Sequence, residues 1–299
     1  MYKLYEKYMY KLIAIDLDGT LLNSYGVISE IDKDAIKKAI KKGVKVILTS
    51  GRGTMSVKNF ANELEIDGDI ICGNGAIIYN LQEDRIIYNQ YIDKKKVLQI
   101  IKICEENSIY YNVFTEDTIL TSSLAYNVLF YNQENIKKPD SKKTNINIIP
   151  NIYKYVEERE KEDYLKICIC DKNDIIFGGI MKKLKEVKNV NVMEVAHMAR
   201  KLIANGTDYV PVEYYITEIM NQDADKWNAV KFLADKYGIS TDEVITIGDN
   251  VNDEQMLKNA GIGVAMGNSA PYIQEMAKEV TLDNNSGGVA NVIEKYILK

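Results

Sequence analysis

Two carboxylates follow an apolar run closely enough to act on one ligand. Asp16 ends the run 12–15, Asp18 lies two residues later, and Gly19 and Thr20 follow. An unbroken apolar run is typical of a strand buried on both faces of a parallel sheet, and ligands bind beyond the carboxyl ends of such strands. The two acids can therefore bind a divalent cation and act on a phosphate. One acid can attack the phosphate, and the other can transfer a proton. The alternative is that both are ordinary turn residues after a strand.

A second apolar segment near the other end of the chain also runs into acids. The run 244–248 is followed by Asp249, Asn252 and Asp253. Two strands with acids at their ends, far apart in the chain, can act together if both end at one edge of one sheet. The recurrence favours a shared site over two unrelated turns.

These two motifs resemble the first and last motifs of the haloacid dehalogenase superfamily of phosphohydrolases. The matching segments are Asp-Leu-Asp-Gly-Thr at 16–20 and Gly-Asp-Asn-Val-Asn-Asp at 248–253. The resemblance implies that Asp16 is the nucleophile, forming an aspartyl phosphate, and that Asp18 is the general acid and base. It also implies a Mg²⁺ site, since this ion prefers oxygen ligands. The implied metal-binding residues are Asp16, Asp18 through its backbone carbonyl, Asp249 and, in a supporting position, Asp253.

The same resemblance assigns the binding of the phosphate to residues on other segments. Ser50 and Gly51 correspond to the hydroxyl and the backbone N–H of the family's second motif. Lys226 corresponds to a catalytic lysine that also binds the phosphate, and Asn252 should contact the phosphate. The alternative interpretation is structural: Ser50 would then lie in an ordinary turn, and Lys226 would be a solvated lysine in the first turn of a helix. Arg52 leaves two interpretations open, either binding the phosphate or packing against the acids.

The segments that carry these residues alternate between strand and helix patterns. Strand patterns at 12–15, 44–48 and 69–72 are separated by helix patterns at 31–40 and 57–64. This β-α-β-α-β order predicts an α/β fold with a doubly wound parallel sheet. The strand before Ser50 then ends at the same edge as the strand before Asp16.

The alternation changes after residue 76. Two arms at 76–79 and 85–88 predict a hairpin. Further strands are predicted at 165–170, 190–195 and 212–219, with a helix at 175–187, and none of these strands ends in acids. This mixture predicts an α+β domain inserted into the core.

The predicted domains are a discontinuous catalytic core, 1–83 with 216–299, and an inserted domain, 84–215. The position of the insertion resembles the C2 cap of the Cof-like branch of the family, class IIB. The core is expected to resume in the segment 214–221. The stretch 132–147, rich in lysine and asparagine, predicts a surface loop with little order.

The composition excludes several classes of partner. The 299 residues, 46% hydrophobic and 27% charged, suit a two-domain globular protein. The net charge of −5 and the lack of a basic block argue against a nucleic-acid partner, so an anionic substrate needs a local positive site and a metal. No apolar run reaches the roughly 18 residues that cross a membrane, and no signal peptide is recognisable, which predicts a cytoplasmic protein. Residues 1–8 are expected to form a short extension, with the natural start near Met9.

The cysteines and the histidine do not form a metal site by their spacing. Cys72 and Cys104 are isolated, and Cys168 and Cys170 alternate along a predicted strand. With His197 as the only histidine, no zinc site can be completed. We therefore expect reduced cysteines that pack in the core, and an ordinary polar role for His197.

Together these patterns predict a Mg²⁺-dependent phosphatase of small phosphorylated metabolites, such as sugar phosphates. A sugar phosphomutase is an alternative, because related proteins use the same core to move a phosphate within a sugar. A non-catalytic regulator that binds a metal or a phosphate is an alternative from another class. The natural substrate and the oligomeric state cannot be predicted from these patterns.

Overall fold

The structure, a computed structural model, describes residues 10–136, 138–140, 143–193, 199–205 and 208–299. The expected extension at 1–8, the start near Met9, and His197 lie outside the described residues. Residue contacts group the chain into two compact units, 1–89 with 225–299, and 90–224. Within the described ranges, no helix combines the length and the apolar character that a membrane span requires.

The first unit is built on one sheet. Numbered along the whole chain, its strands are β1 (Leu12–Asp16), β2 (Lys45–Thr49), β3 (Asp69–Cys72), β4 (Ile77–Asn80), β5 (Arg85–Asn89), β13 (Val244–Gly248), β14 (Ile262–Ala265) and β15 (Glu279–Val280). Their order in the sheet is β15-β14-β13-β1-β2-β3-β4-β5. The strands from β15 to β3 are parallel, whereas β3, β4 and β5 pair antiparallel. The predicted α/β fold is confirmed.

Helices cover the centre of this sheet. They are α1 (Glu30–Lys41), α2 (Thr54–Glu63), α7 (Lys226–Tyr237), α8 (Glu254–Asn259), α9 (Pro271–Met276) and α10 (Gly288–Ile293). Every residue of β1 is buried, so both faces of the sheet are covered there. Ala229 and Leu233 of α7 pack in the same apolar cluster as Leu12 and Ala14 of β1. This packing fixes α7 against the strand that ends in Asp16.

The second unit has its own mixed sheet and its own apolar core. Its strands are β6 (Tyr110–Thr115), β7 (Thr118–Thr121), β8 (Asn145–Ile148), β9 (Tyr164–Asp171), β10 (Val190–Val192), β11 (Ala199–Asn205) and β12 (Asp208–Asn221), and its helices are α3 (Lys94–Glu106), α4 (Tyr126–Ile136), α5 (Ile152–Glu158) and α6 (Asp174–Lys185). The sheet order is β10-β12-β9-β6-β7-β8, with β11 paired to β12. Ile101 of α3, Leu184 of α6 and Ile167 of β9 belong to the core cluster of this unit.

The structure corrects three expectations about the insertion. The segment 214–221 belongs to β12 of the second sheet, where it pairs with β9, so the first unit resumes only at Asp225. The alternating pattern of this segment predicted a strand but could not indicate which sheet it joins. The second arm of the hairpin, β5, remains in the first sheet, so the second unit begins at 90 and ends at 224, whereas 84 and 215 were predicted.

The third correction concerns the stretch 132–147. It contains the end of α4 and the start of β8, where a loop with little order was predicted. Asn127 and Tyr131 of α4 pack against the sheet, with Asn127 hydrogen-bonded to Asn112 and Tyr131 in ring contact with Phe114. These tertiary contacts stabilise α4, which continues into residues 132–136, where the polar composition does not predict a helix.

Candidate functional site

Three carboxylates from the two motifs converge at the carboxyl ends of adjacent strands. Strands β1 and β13 are parallel neighbours, with Ile15 opposite Ile247, so the residues that follow them emerge side by side. Asp16, Asp249 and Asp253 each place a carboxylate oxygen within 4.8 Å of the others. The sequence therefore predicted which acids come together. Their roles stay predictions.

Lys226 lies between two of these carboxylates. It is the first residue of α7, which begins after Asp225, whose carboxylate accepts hydrogen bonds from the first turn. The side chain is fully buried, and Nζ donates to Oδ1 of Asp16 at 2.5 Å and to Oδ1 of Asp253 at 2.6 Å. Burial acts to lower the pKa of Lys226, but the two carboxylates outweigh burial and raise it. Lys226 is therefore a fixed positive charge at neutral pH and not a solvated surface lysine.

Asp253 orients the loop that carries the last motif. Its Oδ2 accepts hydrogen bonds from the backbone N–H groups of Asp249 and Asn250, at 3.0 and 3.1 Å. Its Oδ1 accepts the hydrogen bond from Lys226. These three hydrogen bonds occupy most of the roughly four acceptor sites of the Asp253 carboxylate, which fits the supporting position expected for it.

Asp249 lies against the turn that follows β1. Thr20 Oγ1 donates to Oδ1 of Asp249 at 3.1 Å. Gly19 has a φ of +83°, and a Cβ at this position would lie 2.3 Å from Oδ2 of Asp249. Only glycine therefore allows the two motifs to approach this closely. Thr20 is a contact of the site to which the sequence pattern assigned no role.

The charges of this cluster are unbalanced. Burial, followed by the charge of Asp253, raises the pKa of Asp16 well above its ordinary value, and Lys226 opposes both effects. Burial and Asp253 also raise the pKa of Asp249, to about 6. A cation beside Asp16 and Asp249 would favour their charged forms and so oppose the effects of burial and of the Asp253 charge on these pKa values. A donor set of carboxylate oxygens fits a hard divalent cation such as Mg²⁺.

Asp18 occupies a different position from the three clustered acids. Its side chain is 56% exposed, and its two oxygens accept hydrogen bonds from Nε and Nη2 of Arg52 at 2.7 and 2.5 Å. Nη1 of Arg52 also donates to Ser56 Oγ of α2, and the guanidinium lies 5.4 Å from the centre of the Phe60 ring. Arg52 thus contacts an acid of the first motif, as one of its two interpretations predicts, and its binding of the phosphate stays a prediction. The metal contact expected for the backbone carbonyl of Asp18 stays a prediction.

The residues expected to bind the phosphate lie on neighbouring loops. Ser50 is buried at the end of β2, and its Oγ accepts a hydrogen bond from the backbone N–H of Arg52 at 3.1 Å. Asn252 Nδ2 donates to Oδ1 of Asn74 at 3.0 Å. Asn74 was missed as a site residue, although an asparagine between two glycines at the end of a strand is a pattern that could have indicated it. The phosphate contacts of Ser50, Gly51 and Asn252 stay predictions.

Comparison with known proteins identifies relatives over nearly the whole chain. A family model described as haloacid dehalogenase-like hydrolase matches residues 13–293. Phosphatase YwpJ of Bacillus subtilis is 29% identical over 296 residues, covering 96% of this chain and 100% of YwpJ. The 5-amino-6-(5-phospho-D-ribitylamino)uracil phosphatase YwtE of Bacillus subtilis is 31% identical over 302 residues, covering 96% of this chain and 98% of YwtE. A haloacid dehalogenase-like hydrolase from Bacteroides thetaiotaomicron has a similar crystal structure, with a TM-score of 0.76, 27% identity, and coverage of 96% of this chain and 99% of that chain.

Proposed function

Because this chain belongs to the haloacid dehalogenase-like hydrolases, we propose that it is a Mg²⁺-dependent phosphatase of small metabolites, acting through an aspartyl phosphate on Asp16. Sugar phosphates and similar monoesters are the proposed substrates. Two relatives are named phosphatases, and the name of YwtE designates the phosphate ester of a small molecule. The observation that carries the proposal is the buried ammonium of Lys226 held between Asp16 and Asp253, with Asp249 beside them.

In the proposed reaction, Asp16 and Asp18 divide the chemistry between them. A carboxylate oxygen of Asp16 attacks phosphorus, and the ester P–O bond breaks. Asp18 donates a proton to the departing alkoxide, which leaves as the alcohol. Asp18 then accepts a proton from a water molecule that attacks the aspartyl phosphate, so that inorganic phosphate leaves and Asp16 is regenerated. Lys226 holds Oδ1 of Asp16 and thereby orients the nucleophile.

The remaining groups would stabilise charge on the phosphate. Ser50 through its hydroxyl, Gly51 through its N–H, and Asn252 and Lys226 through their side chains are proposed to bind its oxygens. Asp16, the carbonyl of Asp18 and Asp249 are proposed to hold Mg²⁺, with Asp253 in support. When bound, this ion supplies positive charge that offsets the charge of the carboxylates and of the phosphate.

The inserted segment is proposed to act as a cap that selects the substrate. The motif residues contact only a phosphate, a metal and a leaving oxygen, so they cannot distinguish one ester from another. The segment predicted as the cap, 84–215, corresponds closely to a unit with its own sheet and core, inserted between β5 and α7. We also propose a cytoplasmic location, which is supported by the buried, free state of all four cysteines.

The test of the function is phosphate release from an aryl phosphate and from a panel of metabolite monoesters. Repeated turnover that requires Mg²⁺ and is lost with a chelator is the expected result. Conversion of one sugar phosphate into an isomer, without free phosphate, would instead indicate a mutase. Transfer of at most one phosphate per chain, without turnover, would indicate a regulator.

A separate experiment tests the cap. Replacing residues 90–224 by a short linker should preserve some hydrolysis of the aryl phosphate and abolish preference among the metabolites. Equal selectivity with and without the insertion would contradict the proposed role. The aryl phosphate serves as the internal control, because its hydrolysis depends on the motif residues alone.

A further inference from the structure

Asn74 has a backbone conformation that few non-glycine residues adopt. It lies between Gly73 and Gly75 in the turn after β3, with a φ of +55° and a ψ of +35°. Its side chain is buried. Asparagine tolerates this left-handed conformation better than most residues, but glycine would adopt it without strain. Asparagine therefore adds to this turn a buried side chain that glycine would not supply.

The contacts of Asn74 reach two of the loops proposed to bind the phosphate. Oδ1 accepts the hydrogen bond from Asn252 Nδ2 at 3.0 Å, and the backbone N–H donates to the carbonyl of Ser50 at 2.9 Å. A Cβ at Gly51 would lie 2.8 Å from Oδ1 of Asn74, so the amide packs directly on the Gly51 backbone. The Asn74 side chain thus fills the space between Asn252 and the 50–51 turn.

The same turn also packs against the start of the helix that carries the lysine. A Cβ at Gly75 would lie 2.2 Å from the carbonyl oxygen of Asp225 and 2.8 Å from the backbone nitrogen of Lys226. The turn at 73–75 therefore touches all three segments that carry the proposed phosphate-binding groups. Neither the family motifs identified in the sequence nor the proposed mechanism gives Asn74 a role.

We propose that Asn74 is a positioning residue that holds the Asn252 amide at a set distance from the Ser50 and Gly51 groups. It acts through Asn252 and need not touch the substrate itself. This inference rests on the proposed function, because it assumes that Asn252, Ser50 and Gly51 bind a phosphate. The expected consequence of losing Asn74 is weaker binding of phosphate at an unchanged fold.

The variant Asn74→Gly tests this, because glycine adopts the left-handed turn without strain and lacks the side chain. KM and kcat for the aryl phosphate, and the Kd of inorganic phosphate with Mg²⁺, are measured for Asn74→Gly, Asn252→Ala and the double variant. Each single variant should raise KM and the phosphate Kd about tenfold, the size of one hydrogen bond that serves a charged group. The double variant should be within about twofold of Asn252→Ala, since residues that act through one contact are not additive.

Glu65→Gly provides a matched control. Glu65 also has a positive φ, of 60°, but its side chain is 74% exposed and forms an ion pair with Lys37. This variant should leave KM and the phosphate Kd unchanged. A second variant, Asn74→Asp, keeps the shape of the side chain and the acceptor for Asn252 Nδ2 but buries a negative charge near the proposed phosphate site. The phosphate Kd should therefore rise, and the Tm should fall.

Each other outcome overturns the inference. A wild-type phosphate Kd in Asn74→Gly, or losses that multiply in the double variant, would show that Asn74 does not act through Asn252. A large drop in Tm for Asn74→Gly, with an unchanged phosphate Kd in Asn74→Asp, would assign Asn74 to folding alone. If the wild-type protein hydrolyses no ester, the proposed function fails, and the phosphate titration decides the role of Asn74 separately. A wild-type protein that neither hydrolyses esters nor binds phosphate would overturn both.

Discussion

Each of the two units buries a lysine against a carboxylate, but the surroundings of the two lysines differ. Lys226 in the first unit contacts both Asp16 and Asp253. Lys166 in β9 of the second unit donates to Glu218 in β12, the neighbouring strand. In both cases burial acts to lower the pKa of the lysine, and the carboxylates outweigh burial and raise it. The state of the lysine alone therefore does not distinguish the two sites.

The difference lies in the charge that remains after pairing. Asp249 adds a third carboxylate to the pair around Lys226, so negative charge exceeds positive charge in a buried place when all three acids are ionised. The charges of Lys166 and Glu218 cancel, and the ammonium also lies 4.9 Å from the centre of the Phe114 ring. Excess buried charge is expensive unless a bound ion or ligand offsets it. A catalytic role is thus expected for Lys226 and a structural role for Lys166.

The largest expected effect on turnover comes from converting Asp16, which is hydrogen-bonded to Lys226, into an amide. The same conversion of Glu218, which is hydrogen-bonded to Lys166, is the control. Asp16→Asn should reduce turnover by about 10⁴-fold or more, because an amide is a far poorer nucleophile than a carboxylate. Glu218→Gln makes the same change beside Lys166 and should leave kcat within about twofold. Steady-state release of phosphate from an aryl phosphate measures both. Substantial turnover by Asp16→Asn would remove the chemical distinction between the two sites.

The next effect concerns an acid outside the charged cluster. Asp18→Asn should slow hydrolysis by about 10²–10⁴-fold for esters with poor leaving groups, because the departing alkoxide then lacks its proton donor. The loss should be much smaller for an aryl phosphate with a good leaving group, which serves as the internal control. Rates for a series of leaving groups measure the effect. An equal loss across the series would exclude Asp18 as the proton donor.

Lys226→Met should lower both the turnover rate and the free energy of unfolding. Turnover should fall by about 10²–10³-fold, the usual result of losing one group that stabilises charge in the reaction. The free energy of unfolding should fall by about 3–5 kcal/mol at neutral pH, because two buried carboxylates lose their partner. Unfolding in urea and steady-state rates measure the two effects.

The loss of stability in Lys226→Met should depend on pH. Burial and Asp253 raise the pKa of Asp16, and Lys226 lowers it. Removing the Lys226 ammonium therefore moves the pKa of Asp16 in the folded state further above its value in the unfolded chain. The folded variant then binds more protons than the unfolded chain. The contribution of Asp16 to the stability of the variant is therefore greatest at low pH and is lost as pH rises through the folded pKa. Unfolding at about pH 5 and about pH 8 should therefore show the larger deficit at pH 8, and the opposite order would contradict this electrostatic account.

Much of the site could be predicted from the sequence, because its acids and Ser50 lie at, or within a few residues of, the end of an apolar run. Asp16, Ser50 and Asp249 all lie where parallel strands end at one edge. Asn74 also follows an apolar strand, and its place between two glycines could have indicated it. Its role could not be predicted, because that depends on a left-handed turn and on a contact with a loop near the other end of the chain. The assignment of 214–221 to the first sheet was wrong because alternation specifies a strand and not its neighbours.

A smaller effect on the rate is expected when the negative charge of Asp249 is removed. Asp249→Asn should raise the Mg²⁺ concentration for half-maximal activity by about tenfold or more and leave the rate at saturating Mg²⁺ much less affected. Asp235→Asn, at an exposed position of α7, is the control and should leave the Mg²⁺ dependence unchanged. Titrations of activity with Mg²⁺ distinguish the two. A Mg²⁺ dependence like that of the wild type in Asp249→Asn would remove this residue from the metal site.

The smallest effect on catalysis is expected for the second lysine. Lys166→Met should leave hydrolysis of an aryl phosphate within about twofold of the wild type while lowering the free energy of unfolding by about 1–3 kcal/mol, because Glu218 loses its ammonium. Adding Glu218→Met should recover part of this stability, since it removes the carboxylate that Lys166→Met leaves beside Cys168. The corresponding pair of changes at Lys226 and Asp16 cannot restore activity whatever it does to stability, because it removes the nucleophile. Urea unfolding and aryl phosphatase rates for the single and double variants test the contrast. A loss of aryl phosphatase activity in Lys166→Met comparable to that in Lys226→Met would show that balanced charge does not mark a structural lysine in this protein.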